Sequence, residues 1–362
     1  MGATVSEGAR RAMLVDVASR AGVSVATASL ALRGAARVTP ATRERVRVAA
    51  SDLGYRNGGL AAQSQERPAL RIGIVGAVTL EELLDDPFQV TTITGLVGAL
   101  EQARAVPVFF PPADEARRVA LIARAQLDGV VLVHSPDACG AAWPAVTRRA
   151  LPVVCLEAPS DGSVPGILWR DEDAMGHLCE RIVRYGHTDA VIVTLPFGGS
   201  YRRHGFVPIP DPQRIPSSAV RNRLEAVFDS ALAVSRVYET ERSAHDEGER
   251  AGTAIASLAS PPTVVVCQSD TLAAGVIMGL ERAGLRVPQD VSVTGFDGLE
   301  LPLIAPRRVT TVVQDGLEKG RRAAAQLLRE IAGEAPEPDD MTLTVRDGTT
   351  LGPVRAEGAM SR

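Results

Sequence analysis

The chain has 362 residues, 45% of them hydrophobic and 23% charged, ample for two or three domains with sizeable cores. Its net charge of −4 hides a split: residues 1–67 hold ten arginines against five acids, a net +5, which leaves −9 on the remainder. A basic head on an acidic body is the layout of a protein whose head alone meets phosphate. No apolar run approaches the ~18 residues that a membrane span needs.

Taken in chain order, residues 14–33 read as two short helices joined by a tight turn. Leu14, Val17 and Ala18 make the i, i+3, i+4 stripe of a buried helix face. Gly22 suits a turn that needs φ > 0, and Val23 can plug the space between the helices. Ser24 stands where an N-cap is wanted. A helix that enters a major groove needs a small, polar amino end and an apolar rear. Ser24, Ala26, Thr27 and Ser29 meet the first need, and Ala28, Ala31 and Leu32 the second. The competing reading is a plain helical hairpin in a bundle. Thr39 and Pro40 then start a third helix, with Val46, Ala49, Ala50 and Leu53 on one face and Gly54 placed to end it.

Residues 56–69 have the composition of a linker. Beyond Leu70, apolar strands are expected at Ile72–Val78, Val106–Phe110, Val130–Val133, Val153–Leu156, Val191–Leu195, Val264–Cys267 and Val291–Phe296. Helices are expected at Thr92–Ala103, Asp173–Tyr185, Arg221–Val234, Asp270–Ala283 and Leu317–Ile331. Such alternation means parallel sheets covered on both faces. Two lobes with a ligand cleft at the carboxyl ends of their strands are the economical arrangement. The stretch Thr194–Ser218, which contains Arg202 and Arg203, reads as an irregular surface loop beside that cleft.

Enzymatic chemistry has little support. There is no Walker loop, no GxSxG elbow and no HExxH, and Gly73 and Gly76 lack the third glycine of a dinucleotide fingerprint. Cys139, Cys155, Cys179 and Cys267 lack zinc spacing and fit a reducing cytoplasm. No cofactor and no metal are implied. Lys319 is the sole lysine, which reads as coding bias.

The headpiece resembles the LacI/GalR family of bacterial transcriptional regulators. Asp16, Val17, Ala18, Ala21, Gly22, Val23, Ser24, Thr27 and Ser29 stand in register with its V-x-D-V-A-x-x-A-G-V-S-x-x-T-x-S pattern. Further stretches in register begin at Leu127, Leu151, Tyr185, Arg221, Ser269, Val287 and Val309. The resemblance implies an all-α helix-turn-helix headpiece and a two-lobed α/β core like periplasmic sugar-binding proteins, with two Rossmann-like parallel-sheet subdomains. The implied boundaries are 12–56 for the headpiece, 57–69 for the hinge and 70–350 for the core. The implied function is repression by a cytoplasmic homodimer on a near-palindromic double-stranded DNA operator. A small-molecule effector between the lobes controls it allosterically, without a membrane. A solute-binding receptor, or a sugar-modifying enzyme with an appended head, are the alternatives.

By the same resemblance, Ser24, Val25, Ala26, Thr27, Ser29, Leu30 and Arg33 meet DNA. Leu30 stands where arginine is usual, which removes a guanine reader; packing into the headpiece is its other reading. The hinge has Ser64 where a wedging leucine is expected, with Leu60 one turn earlier and Gly58 and Gly59 disfavouring a helix. The effector residues implied are Phe88, Gln89, Arg170, Arg223, Ser269 and Asp297. Gln89 and Ser243 replace stacking aromatics, and Arg170 replaces an aspartate unless a one-residue shift brings in Asp171. The effector class implied is a sugar, sugar phosphate or sugar acid. These departures lead us to expect a pocket with less stacking and more positive charge that favours the anionic ones, whereas interlobe ion pairing is the structural alternative.

Overall fold

In the computed structural model, described for residues 13–32, 35, 38–53, 69–110, 114–157, 159, 162–198, 204–335 and 339–355, the chain divides into two units, Met1–Ala69 and Leu70–Arg362. The first contains α1 (Leu14–Ala21), α2 (Val25–Leu32) and α3 (Pro40–Asp52). Asp16 accepts the Met13 amide at 2.7 Å to start α1, and Gly22 ends it at φ 65°. Thr39 caps α3 by accepting the Thr42 amide at 3.3 Å. Val17, Ala18, Ala28, Ala31, Val46 and Ala49 close a small core of short side chains. Gly54, Gly58, Gly59, Leu60 and Ser64 lie outside the described residues.

The second unit begins with β1 (Arg71–Val75), α4 (Leu80–Asp85), α5 (Pro87–Gln102), β2 (Val106–Phe110), α6 (Glu115–Arg124), β3 (Gly129–Leu132), α7 (Ala142–Thr147), β4 (Val153–Cys155) and β5 (Ile167–Trp169). Its first four strands form a parallel sheet in the order β2-β1-β3-β4. Parallel strands buried on both faces read as unbroken apolar runs, and Ile72, Ile74, Val130 and Val131 obey that rule.

There follow α8 (Asp171–Arg184), β6 (Asp189–Thr194), β7 (Gly205–Val207), α9 (Ser218–Phe228), β8 (Ala233–Glu239), α10 (His245–Ala256), β9 (Val264–Cys267), α11 (Asp270–Arg282), β10 (Ser292–Asp297) and β11 (Thr310–Val313). Last come α12 (Gly316–Ile331), β12 (Asp339–Met341) and β13 (Thr344–Arg346). The second sheet runs β13-β11-β10-β9-β6-β8-β7, with both edge strands antiparallel to their neighbours. Helix α12 leaves this lobe to pack on α5 and on the first sheet. The segments β5 and β12 pair in parallel as the chain passes between the lobes. One apolar cluster runs from Ile72 and Leu96 through Ile192 and Val264 to Phe296.

Several boundaries differ from the sequence reading, β1 ending at Val75 and α5 starting at Pro87 among them, and two differences reshape the second lobe. The helix expected to reach Val234 stops at Phe228, because Ser230 turns its hydroxyl back onto the Val227 carbonyl (2.7 Å) and accepts the Leu232 amide. The residues after it form β8. The supposed loop Thr194–Ser218 contributes β7, with Phe206 edge-on to Tyr238 at 5.3 Å. Arg202 and Arg203 lie outside the described residues.

Candidate functional site

Helix α2 offers an accessible amino end. The Ser24 hydroxyl accepts the Thr27 amide at 3.1 Å and lies 2.8 Å from the Thr27 hydroxyl, so these two side chains brace the first turn. Val25 and Ala26 project into solvent from that turn, Val25 with 45% of its surface exposed. Ala28, Ala31 and Leu32 face the core on the other side. Thr27 and Ser29 are half-buried, and Leu30 packs against the headpiece core. Arg33 lies outside the described residues.

In the second unit a cavity of ≈ 130 Å³ opens at the carboxyl ends of β1, β3, β4, β6 and β8. Ala77, Glu82, Asp86, Gln89, His134 and Glu157 line it from the first lobe, and Leu195, Ser217, Glu241, Arg242 and Ser243 from the second. The lobes meet across it. Ser135 donates to the Pro216 carbonyl at 3.1 Å and accepts the Ser218 amide at 3.3 Å. His134 accepts the Ala77 amide on Nδ1 at 3.1 Å, which places any proton of a neutral ring on Nε2.

Behind the cavity stands a buried polar wall. Arg223 Nε donates to Asp171 at 2.8 Å, its Nη1 to the Gln268 carbonyl at 2.7 Å, and its guanidinium lies 3.6 Å from the centre of the Phe296 ring. Asp297 accepts from Gln314 Nε2 at 2.6 Å and holds φ 120°, a strained conformation for a residue with a Cβ. Ser269 caps α11 by accepting the Leu272 amide and sits 3.1 Å from the Ser243 hydroxyl. The Lys319 ammonium lies 5.6 Å from the centre of the Phe88 ring. Its burial lowers its pKa, against the pull of Glu157 and Asp171. Burial likewise raises the carboxyls of Asp86 and Asp297, and brings Asp270 up to about 7.

Of the six expected effector residues, Gln89 lines this cavity, while Phe88, Arg223, Ser269 and Asp297 are buried in the wall behind it. Arg170 stays out. It occupies the cap position of α8, 56% exposed, and pairs with Asp173 at 3.3 Å, while Asp171 turns inward as the first residue of the helix. The expectation of a positive pocket fails with it, since Glu82, Asp86, Glu157 and Glu241 outnumber Arg242 on the lining.

Two family models match the chain: bacterial regulatory proteins of the lacI family over residues 13–57, and a periplasmic binding protein-like domain over residues 184–349. An HTH-type transcriptional regulator of Mycolicibacterium smegmatis is 30% identical over 95% of this chain and 97% of its own length. The chain belongs to the LacI family. It is therefore a DNA-binding transcriptional regulator. Among other LacI-family relatives, the transcriptional repressor CytR of Escherichia coli is 28% identical over 89% of this chain and 91% of its own length. The lac repressor dimer bound to operator and the anti-inducer ONPF shares the fold, with a TM-score of 0.66 at 20% identity over 95% of this chain and 100% of that one.

Sequence reading overlooked several residues of this LacI-family site. Asp86 carried a signal, as the cap of α5 directly before Pro87, whereas Glu157 follows β4 without a motif and Gln314 is 17 residues from the aspartate it binds. Lys319 gave a signal as the only lysine in the chain, but was assigned to coding bias. Asp171 was within reach as the one-residue shift.

Proposed function

We propose that this LacI-family regulator is a cytoplasmic homodimeric repressor, without catalytic activity, that reads a near-palindromic operator through α2 and releases or tightens on it when a small polar effector occupies the interlobe cavity. The observation that carries this reading is the polar-lined cavity at the strand ends, in a chain whose other unit exposes the amino end of a capped helix. CytR is named a repressor, and the lac repressor is a dimer on its operator, so both features have precedent in similar chains.

In this reading Val25 and Ala26 meet base edges through apolar contact with thymine methyls, and Ser24, Thr27 and Ser29 hold phosphates. Arg33 meets DNA as well in this reading. Leu30 supports the headpiece core. In the body, Gln89 touches the effector while Arg223, Ser269, Asp297 and Phe88 hold the wall in place. The effector shifts repression by the difference in its affinity for the two lobe arrangements, and by no more.

Gel retardation with DNA from upstream of the gene, with and without a metabolite panel, tests the proposal. A retarded complex that one metabolite strengthens or dissolves is expected. Failure of the full-length protein to prefer any site in a random-oligonucleotide selection at moderate salt would overturn it.

A further inference from the structure

Carboxylates dominate the cavity and the wall behind it. On the lining, Arg242 is matched by Asp246, both of whose oxygens it holds at 2.6 and 2.7 Å. Glu241 pairs with His204 at 2.8 Å, and Glu82 caps α4 by accepting the Thr79 amide at 2.7 Å. Asp86 and Glu157 complete the lining, Asp86 capping α5 by accepting the Phe88 amide at 2.9 Å and hydrogen-bonding Ser243. Glu157 Oε2 is closed off from water and has no hydrogen-bond partner, as does Asp171 Oδ1 in the wall, where Asp171 is 96% buried. Asp270 Oδ1 is in the same condition.

The cations available to these acids are few. Arg223 faces Asp86, Asp171 and Asp297, Lys319 faces Glu157, Asp171 and Asp297, and Arg346 acts on Asp270. The other buried arginine nearby, Arg118, is spent on the carbonyls of Gly76 and Cys139, and Arg346 reaches Glu300 at 3.1 Å. A buried excess of negative charge is resolved by proton uptake or by a cation from outside. Ionised carboxylates are acceptors only. Their best counterpart is a group with several donors and a positive charge.

We infer that the effector of this regulator is a small hydroxyl-rich molecule bearing a protonated amine, held with its ammonium against Asp86 and Glu157. The inference rests on the effector cavity proposed above and names the chemical class it takes. Hydroxyls on the same molecule suit Gln89, which offers hydrogen bonds where a stacking aromatic would offer a face, while Ser243 holds Asp86 in place. The cavity's ≈ 130 Å³ is well below the roughly 300 Å³ at which drug-sized sites begin, so one small ring is the scale. Burial pushes the Asp86 carboxyl up, which expresses the same preference for neutralisation.

The test uses full-length protein and matched probes: glucosamine, galactosamine and mannosamine, their parent hexoses, their N-acetyl derivatives and the corresponding aldonic acids. Thermal shift finds binders and calorimetry at pH 7 ranks them. At least one hexosamine should bind about tenfold or more tighter than both its parent and its N-acetyl form, the equivalent of ~1.4 kcal/mol. The isosteric variants Asp86→Asn and Glu157→Gln should bring that ratio towards one, and the wild-type ranking stands whether or not they fold. Equal or tighter binding of a neutral sugar or an acid overturns the amine inference but keeps the cavity as the effector site. If no probe of any series moves the melting temperature while specific DNA retardation persists, both fall.

Discussion

Arg223 and Asp171 form a buried ion pair at 2.8 Å, with 6% and 5% of their side chains exposed. Removing one member leaves the other charged and desolvated, which costs about 3–5 kcal/mol in comparable sites. Asp171→Ala should therefore lower unfolding stability by that order in urea titration. Arg170→Ala, one residue away but at the surface, should change it by less than ~1 kcal/mol. Similar losses from both would remove the distinction drawn between the two neighbours.

The second lobe depends on close contact of α10 and α11. A Cβ on Gly275 would overlap the His245 carbonyl oxygen, and one on Gly248 the Leu272 carbonyl, so the two helices meet backbone to backbone. Gly275→Ala should destabilise by about 1–3 kcal/mol through overpacking. Gly176→Ala in α8 meets nothing within 4 Å and should instead stabilise by about 0.5–1 kcal/mol. Thermal melts of the two variants, expected to move in opposite directions, decide it.

Stability should fall between acid and neutral pH. Asp270 titrates at about 7 in the folded chain against 3.8 for its ordinary value, because burial penalises its charge. Over that window the native state binds more protons than the unfolded one, so each rise in pH costs stability, and the gain is complete only below the ordinary value. Asp86 and Asp297 act in the same sense, whereas His187, which burial holds below its ordinary 6.5, opposes them within the window, and Lys319, also lowered by burial, does so as pH rises towards its ordinary 10.5. Asp290, held down to about 2 by Arg286, titrates below the window. The melting temperature should be higher at pH 5 than at pH 8, and Asp270→Asn should flatten the slope; an unchanged slope in that variant would assign the effect elsewhere.

In the headpiece, Ser24→Ala removes the cap of α2 and should cost about 1 kcal/mol of its stability. The double change Thr27→Ala and Ser29→Ala should weaken binding to operator and unrelated DNA alike, because phosphate contacts carry no sequence information. A loss confined to the operator, measured by competition gel retardation, would show that these side chains read bases. Deleting residues 1–67 should abolish retardation and leave effector-induced stabilisation of the remainder intact.

Much of this architecture was readable from local pattern. The headpiece is legible because its turn needs Gly22 at positive φ and its core needs alanines at helical spacing, both local demands. Parallel strands such as Ile72–Val75 are legible because both faces are apolar. By contrast, β8 lies next to the edge of its sheet, is largely exposed over its first four residues and buried only over its last three, and merges with the preceding helix in any short window. The effector wall is harder still. Its partners stand far apart in sequence, 52 residues for Arg223 and Asp171, and the choice between Arg170 and Asp171 turns on which residue begins α8. That is settled by packing, which no local spacing reports.

The path of α12 has a consequence for synthesis. Gly320 and Gly95 bring this helix into backbone contact with α5, so the amino-terminal lobe stays uncovered on that side until residues 316–331 have left the ribosome, after most of the second lobe. A nonsense codon shortly after Val313 would strip the earlier lobe while leaving most of the later one in place. Neither lobe is an independently heritable module.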